Sequence, residues 1–292
     1  MPASAKRSLR LALGVTLGFF LVELGGGLYT NSLSLMADAF HMLLDSMALL
    51  ISFAAVVIAE RPSNPVQTYG YRRAEILAAF FNAMILLGLS SFLIFKASAR
   101  LTAPAPVREL PMLIIAASGL GVNLANLFLL RRAQKESLNV RSAYLHVLGD
   151  SLGSLVVIVA AVLIAGTGNT IYDALGSLAI SGLILVSAMR LFLKTLAVLM
   201  EASPSHLSTA EIQDSFLALP GVRGVHDLHV WTLTSGFEVL SAHLTVTDLA
   251  SSQEILSGAQ EMLRQRYGIT HPTIQIETDF HPECLHGHGT CA

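Results

Sequence analysis

Two apolar segments carry the same pair of ionisable residues. One reads Ala37-Asp38-Ala39-Phe40-His41-Met42-Leu43-Leu44-Asp45 and the other His146-Val147-Leu148-Gly149-Asp150. Both contain His-x-x-x-Asp. At i and i+4 on a helix the two side chains lie on one face, one turn apart. An Asp at the centre of a bilayer costs about 2.5–3.5 kcal/mol on insertion scales, so two such pairs are hard to retain as accidents. If the two faces meet, they supply two imidazoles and two carboxylates. Four N/O ligands suit a tetrahedral divalent ion, the geometry zinc prefers, and two carboxylates cancel its charge. A His–Asp pair held by a hydrogen bond alone needs no metal, but the duplicated spacing argues against that reading for both pairs.

Other polar groups in the apolar body read differently. Asp38 stands one turn before His41, either on the ion path or as a helix–helix hydrogen-bond acceptor. Glu23, Asn82, Asn123 and Asn126 are expected to join helices. Gly25-Gly26-Gly27 reads as a close-packing or flexible segment; no strand precedes it and no Lys follows, so it is not a phosphate loop. No His-Glu-x-x-His occurs, and a closed four-ligand site leaves no position for an activated water, which argues against an intramembrane zinc hydrolase.

The elements that must position these residues follow from composition. Of 292 residues, 53% are hydrophobic and 13% charged, and mean hydropathy is +0.62. Soluble domains carry about a quarter charged residues, so a membrane protein with a soluble part is indicated. Residues 1–200 hold 15 Lys/Arg against 9 Asp/Glu, a net +6; residues 201–292 hold 3 against 11, a net −8, with eight of the ten histidines. The acidic part repels nucleic acid and attracts cations. Cys284 and Cys291 both lie in the last nine residues, so no disulfide framework is implied.

Six stretches are long enough to cross a hydrocarbon core of about 30 Å: Leu9–Tyr29, Leu33–Ala59, Ala74–Ser98, Leu110–Leu130, Ser142–Ala165 and Ala174–Met200. The first contains Glu23 and lacks a cleavage site, and reads as a span rather than a signal peptide. Lys6, Arg7, Arg10, Arg61, Arg72, Arg73, Arg131, Arg132, Lys135 and Arg141 fall on one side of these spans. The positive-inside rule places both termini and the acidic domain in the cytoplasm.

From Glu201 the pattern changes. Ser208-Thr209-Ala210-Glu211 and Ser251-Ser252-Gln253-Glu254 read as capping boxes before helices. Runs at Val225–Leu233, Glu238–Val246 and Pro272–Thr278 read as strands, with Ser235-Gly236 as a turn. The order α-β-β-α-β fits helices packed on one sheet face. Leu240, Ala242, Leu244 and Val246 share one face, and Ile274 and Ile276 point inward; His243 and Glu277 take solvent-facing positions.

The chain resembles the cation diffusion facilitators, six-helix zinc/proton antiporters. The resemblance rests on Asn31–Asp45, Tyr69-Gly70-Tyr71-Arg72-Arg73-Ala74-Glu75, Asn139–Asp150 and His226-Asp227-Leu228-His229-Val230-Trp231. It implies that His41, Asp45, His146 and Asp150 are the transport-site ligands, and that the chain forms a homodimer with a ferredoxin-like cytoplasmic domain. It also implies a regulatory metal at His226, His243, His271 and Glu277; the alternative is surface residues on an acidic domain. His229, beside Trp231, reads as structural. In the tail, Cys284, His286, His288 and Cys291 suit Zn²⁺, although such a tail can also be unstructured.

The expected organisation is a six-helix transport domain over 1–200, a ferredoxin-like metal-sensing domain over 201–280 and a His/Cys tail over 281–292. The expected activity is Zn²⁺ export from the cytoplasm in exchange for protons, in a plasma or inner membrane, with Zn²⁺ both cargo and regulator. Carriage of Cd²⁺, Co²⁺, Fe²⁺ or Mn²⁺ is the alternative within the class, and a non-transporting membrane-bound metal sensor the alternative outside it.

Overall fold

The computed structural model describes residues 3–131 and 138–278; within these, the side chains of residues 3–13 and 138–143 and of Leu49, Leu145 and His146 lie outside the description. Six long helices come first: α1 (Ala3–Thr30), α2 (Leu33–Ala59), α3 (Ala74–Thr102), α4 (Glu109–Leu130), α5 (Leu138–Thr167) and α6 (Ile171–Leu199). Among the described residues, α2 to α6 each hold a stretch long and apolar enough to cross a membrane, while the apolar part of α1, Gly14–Thr30, is shorter. The chain divides into two compact units, one of residues up to Phe53 with Phe81–Phe192, the other of Ala54–Phe80 with the chain from Leu193 onward.

In the first unit, Leu35, Leu93, Met112, Val157, Ala160, Ala161 and Ile180 form a buried core drawn from α2 to α6. Outward-facing Leu21, Leu50, Phe92, Phe95, Phe128 and Leu183 stay exposed, as lipid contact requires. Two members of the glycine triplet allow close approach. A Cβ on Gly26 would lie 2.5 Å from Ile115 of α4, and one on Gly27 would lie 2.6 Å from Met36 of α2. Asn126 of α4 donates to Thr16 of α1 at 3.1 Å.

The turn between α1 and α2 is held by one carboxylate. Asn31 takes φ 57°, breaking the helix. The next residues then turn their donors toward Asp173, in the first turn of α6 and 1% exposed. Asp173 accepts from Ser32 Oγ (2.6 Å), Leu33 N (2.8 Å), Ser34 N (3.1 Å) and Ser34 Oγ (2.7 Å). It thereby caps the N-terminus of α2, whose first N–H groups have no intrahelical acceptor. Arg100 of α3 reaches the same carboxylate at 3.3 Å and also donates to the Asn31 carbonyl at 2.6 Å.

The second unit continues with α7 (Thr209–Leu217), β1 (Val222–Thr234), β2 (Phe237–Val246), α8 (Ser252–Tyr267) and β3 (His271–Glu277). The sheet order is β1-β2-β3, with β1–β2 antiparallel and β2–β3 parallel, consistent with a ferredoxin-like fold. Ile212, Phe216, Ile255, Ala259 and Leu263 from the helices bury Leu240, Ala242, Leu244 and Val246 of β2. Ser208 caps α7 by accepting from Glu211 N at 3.3 Å. The second capping box does not form. Ser251 makes no side-chain cap, because Leu249–Ser251 is a 3₁₀ turn whose own cap is Asp248, accepting from Ala250 N at 3.0 Å.

The α2–α3 connection belongs to this unit. Arg73 pairs with Glu201 at 2.7 Å, Thr234 Oγ1 donates to Glu75 at 2.8 Å, and the Arg72 guanidinium stacks 4.6 Å from the Phe237 ring.

Candidate metal sites

Helical spacing brings His41 and Asp45 to one face of α2, with His41 Nδ1 3.4 Å from Asp45 Oδ2. Asp150 of α5 completes a group: its Oδ1 lies 3.9 Å from His41 Nε2. One ligand atom from each of His41, Asp45 and Asp150 lies within 4.8 Å of the other two. The Asp150 side chain is 5% exposed, whereas those of His41 and Asp45 are 29% and 21% exposed. The backbone of His146 lies on α5 one turn before Asp150, and its side chain is outside the described residues. Metal bonds of about 2.0–2.2 Å to N and O place tetrahedral donors about 3.3–3.6 Å apart, close to the separations of 3.4 and 3.9 Å from the His41 nitrogens to the two carboxylates.

Asp38, on the same face of α2, is 2% exposed. It packs where α5 has no side chain: a Cβ on Gly153 would lie 2.5 Å from Asp38 Oδ1. Ser154 donates to Asp38 Oδ2 at 3.1 Å and accepts from Asn123 of α4 at 3.4 Å. Of the two readings of Asp38, the interhelical hydrogen bond is thus present.

The second cluster sits on the sheet face opposite the helices. His226 of β1 faces His243 of β2 across the antiparallel ladder, their ring centroids 5.1 Å apart. Parallel pairing sets Glu277 beside Thr245, two residues beyond His243 and on the same face. Glu277 reaches His226 Nε2 at 2.7 Å and His243 Nδ1 at 3.8 Å. Their ligand atoms also fall within 4.8 Å of one another. The positions are less open than alternation suggests: His226 is 2% exposed, and the side chains of His243 and Glu277 are 29% and 12% exposed. Two imidazoles and one carboxylate at this spacing fit a borderline divalent ion such as zinc, leaving one coordination position.

One sequence expectation differs here. His271 does not join the cluster. It stands at the opposite end of β3, paired with Val239, six residues or about 20 Å of strand from Glu277. Its ring instead packs 5.6 Å from Tyr69 and 5.7 Å from Phe237. Asp227, outside the expected set, stands at its edge: its Oδ2 lies 3.8 Å from His243, and its Oδ1 bonds His229 at 2.9 Å. The ladder register shifts between His226 and His229, and Asp227 takes φ 51°. Such a bulge re-aims side chains. The signal available in sequence was the His226-Asp227 pair itself. Cys284, His286, His288 and Cys291 lie outside the described residues.

The cation efflux transmembrane domain matches residues 9–200, and the cytoplasmic domain of cation efflux proteins matches residues 204–279. This chain belongs to the cation efflux family. Members of this family are transporters, not enzymes. The metal cation efflux system protein CzcD of Cupriavidus metallidurans is 41% identical over 278 residues, covering 94% of this chain and 88% of its own. The zinc transporter ZitB of Escherichia coli is 41% identical over 273 residues, 93% of this chain and 87% of its own. A cadmium, cobalt and zinc/H(+)-K(+) antiporter of Bacillus subtilis is 38% identical over 281 residues, 94% and 90%. A solved structure, the metal-bound C-terminal domain of the CzcD transporter, is 42% identical over 24% of this chain and 99% of its own, with a TM-score of 0.23.

Proposed function

We propose that this cation efflux protein is a zinc/proton antiporter that exports Zn²⁺ from the cytoplasm, with His41, Asp45, His146 and Asp150 as the transport ligands. The observation that carries this is the convergence of His41, Asp45 and Asp150 from two apolar helices. Neutral imidazole and carboxylate bind metal only when deprotonated. Protons arriving at His41 therefore expel zinc, and zinc entering expels protons. The relatives named as zinc transporters and as a cadmium, cobalt and zinc antiporter support the ion class. Two nitrogens with two carboxylate oxygens favour Zn²⁺ over harder ions, with Cd²⁺ and Co²⁺ as secondary cargo.

The protein is read as a homodimer in the plasma membrane with both termini cytoplasmic. His226, His243 and Glu277 form its sensing site, Asp227 stands at the edge, and the tail thiols and imidazoles gather metal. The deciding experiment is Zn²⁺ flux in proteoliposomes with and without a pH gradient. Zinc uptake that runs against its gradient only when the opposing proton gradient is present establishes the antiport. Flux indifferent to pH refutes the coupling, and no flux at all leaves a sensor.

A further inference from the structure

Glu23 of α1 is 1% exposed, and neither carboxylate oxygen has a hydrogen-bond partner among the described residues. It fits because position 119 of α4 is glycine. A Cβ there would collide with Glu23 Oε1 and lie 2.9 Å from Phe19. One turn further along α4, Asn123 donates to Ser154, which donates to Asp38. Gly119 and Asn123 share a face of α4, and Asp150 and Ser154 share a face of α5. Buried hydrogen bonds thus link Asp38 through Ser154 to Asn123, and Glu23 lies against the same face of α4 one turn away, at Gly119. The titratable groups that act on Glu23 are Asp38 of α2 and Asp150 of α5. From α4, the helix packed along α1, the buried residues here are Ala116, Gly119 and Asn123, none of which ionises.

A carboxylate without a donor, buried beside two other carboxyl groups, is costly as an anion. Asp38 is relieved by the Ser154 hydroxyl; Glu23 has only its own proton or a nearby cation. We infer that Glu23 is a proton carrier of the exchange cycle, protonated while the donor group is empty of metal and ionised when a divalent cation binds there. The inference rests on the transport ligands proposed above. Glu23 is not itself a ligand: two added positive charges in the same low-dielectric region offset its negative charge through space. As metal enters, the Glu23 O–H bond breaks and the proton passes to water. As metal departs, a proton returns from water and the bond re-forms. Coupling by charge at Glu23 adds to the competition for lone pairs at His41.

The test is calorimetric titration of the full-length protein with Zn²⁺ in buffers of different ionisation enthalpy across a pH series, comparing wild type, Glu23→Gln and Glu23→Asp. Glu23→Gln should still bind zinc but release about one proton fewer per intramembrane ion, making the affinity less steep by about tenfold per pH unit. Glu23→Asp, which keeps the carboxyl, should restore the proton count. Glu23→Met, which fills similar volume without charge, gives the same readout if the amide variant does not fold. An unchanged proton count in Glu23→Gln overturns the inference. So does loss of zinc binding in a folded Glu23→Gln, which would make Glu23 a ligand. Failure of the transport ligands shows separately, as zinc binding and proton release unaltered in Asp150→Ala.

Discussion

His243→Ala removes one of the three convergent donors on the sheet while leaving the His226–Glu277 contact at 2.7 Å. Trp231, the single tryptophan of the chain, lies in β1, so its fluorescence reports unfolding of the cytoplasmic domain within the full-length protein. Free zinc at about 100 times Kd stabilises the wild-type domain by about 2.7 kcal/mol. For a domain of about 80 residues this raises the Tm by about 10–20 °C, at about 4–8 °C per kcal/mol. Loss of a direct ligand weakens binding at least as much as the roughly 100-fold that can follow loss of an outer-shell partner. At the same zinc concentration the remaining gain is then about 0.4 kcal/mol, or about 2–3 °C. Without zinc the substitution should cost little, because His243 meets Glu277 and Asp227 only at 3.8 Å and is partly exposed. His226→Ala should behave differently. It removes a side chain only 2% exposed, together with its 2.7 Å contact to Glu277 Oε1, and should lower metal-free stability by about 0.5–3 kcal/mol. An equal zinc-induced shift in wild type and His243→Ala refutes the three-donor site.

Asp45→Ala or Asp150→Ala should abolish zinc flux in proteoliposomes while the protein stays folded and dimeric; near-normal flux from either purified variant rules out the shared site. His41→Asp should raise Cd²⁺ or Mn²⁺ flux relative to Zn²⁺, because a third carboxylate hardens the donors and admits higher coordination. An unaltered ratio in an active variant places selectivity outside the donors. Gly153→Ala puts a Cβ 2.5 Å from Asp38 Oδ1 and should cost about 1–3 kcal/mol of stability. Gly149→Ala, where a Cβ meets nothing within 4 Å, is its control, and equal melting temperatures for the two contradict the packing of Asp38 on α5.

What the sequence makes legible is what depends on local period. The spans at Leu33–Ala59 and Leu110–Leu130 match α2 and α4 to within a residue at each end, because an unbroken apolar run ends where Pro, Asn or charge begins. The pairing of His41 with Asp45 follows from the helical repeat alone. That Asp150 meets them depends on how two helices pack, which no spacing within either segment encodes. His271 fails for the complementary reason. Alternation sets the face a residue takes, but only ladder register sets its distance along the strand, and His271 lies at the far end from Glu277. Asp173 carries no signal of its own in the sequence. The four donors from Ser32, Leu33 and Ser34 lie about 140 residues away, beyond the reach of any periodic pattern.

The bonds to Asp173 turn the first residues of α2 into a fulcrum. At 1.5 Å per residue, Asp38 stands about 8 Å from Leu33 along the helix, His41 about 12 Å, Asp45 about 18 Å and Ala59 about 39 Å. A rigid tilt about that point displaces each residue in proportion to its arm. A shift of about 1 Å at His41 moves Asp38 by only about two-thirds as much, while the Ala59 end sweeps about 3 Å. The arrangement therefore has mechanical gain: a closure the size of a bond length at the donors becomes a displacement comparable to a helix's rise over two residues where α2 ends. Under the proposed transport site, an ion held near the short arm would control a larger movement at the long one, and a force applied at the long arm would reach the donors multiplied.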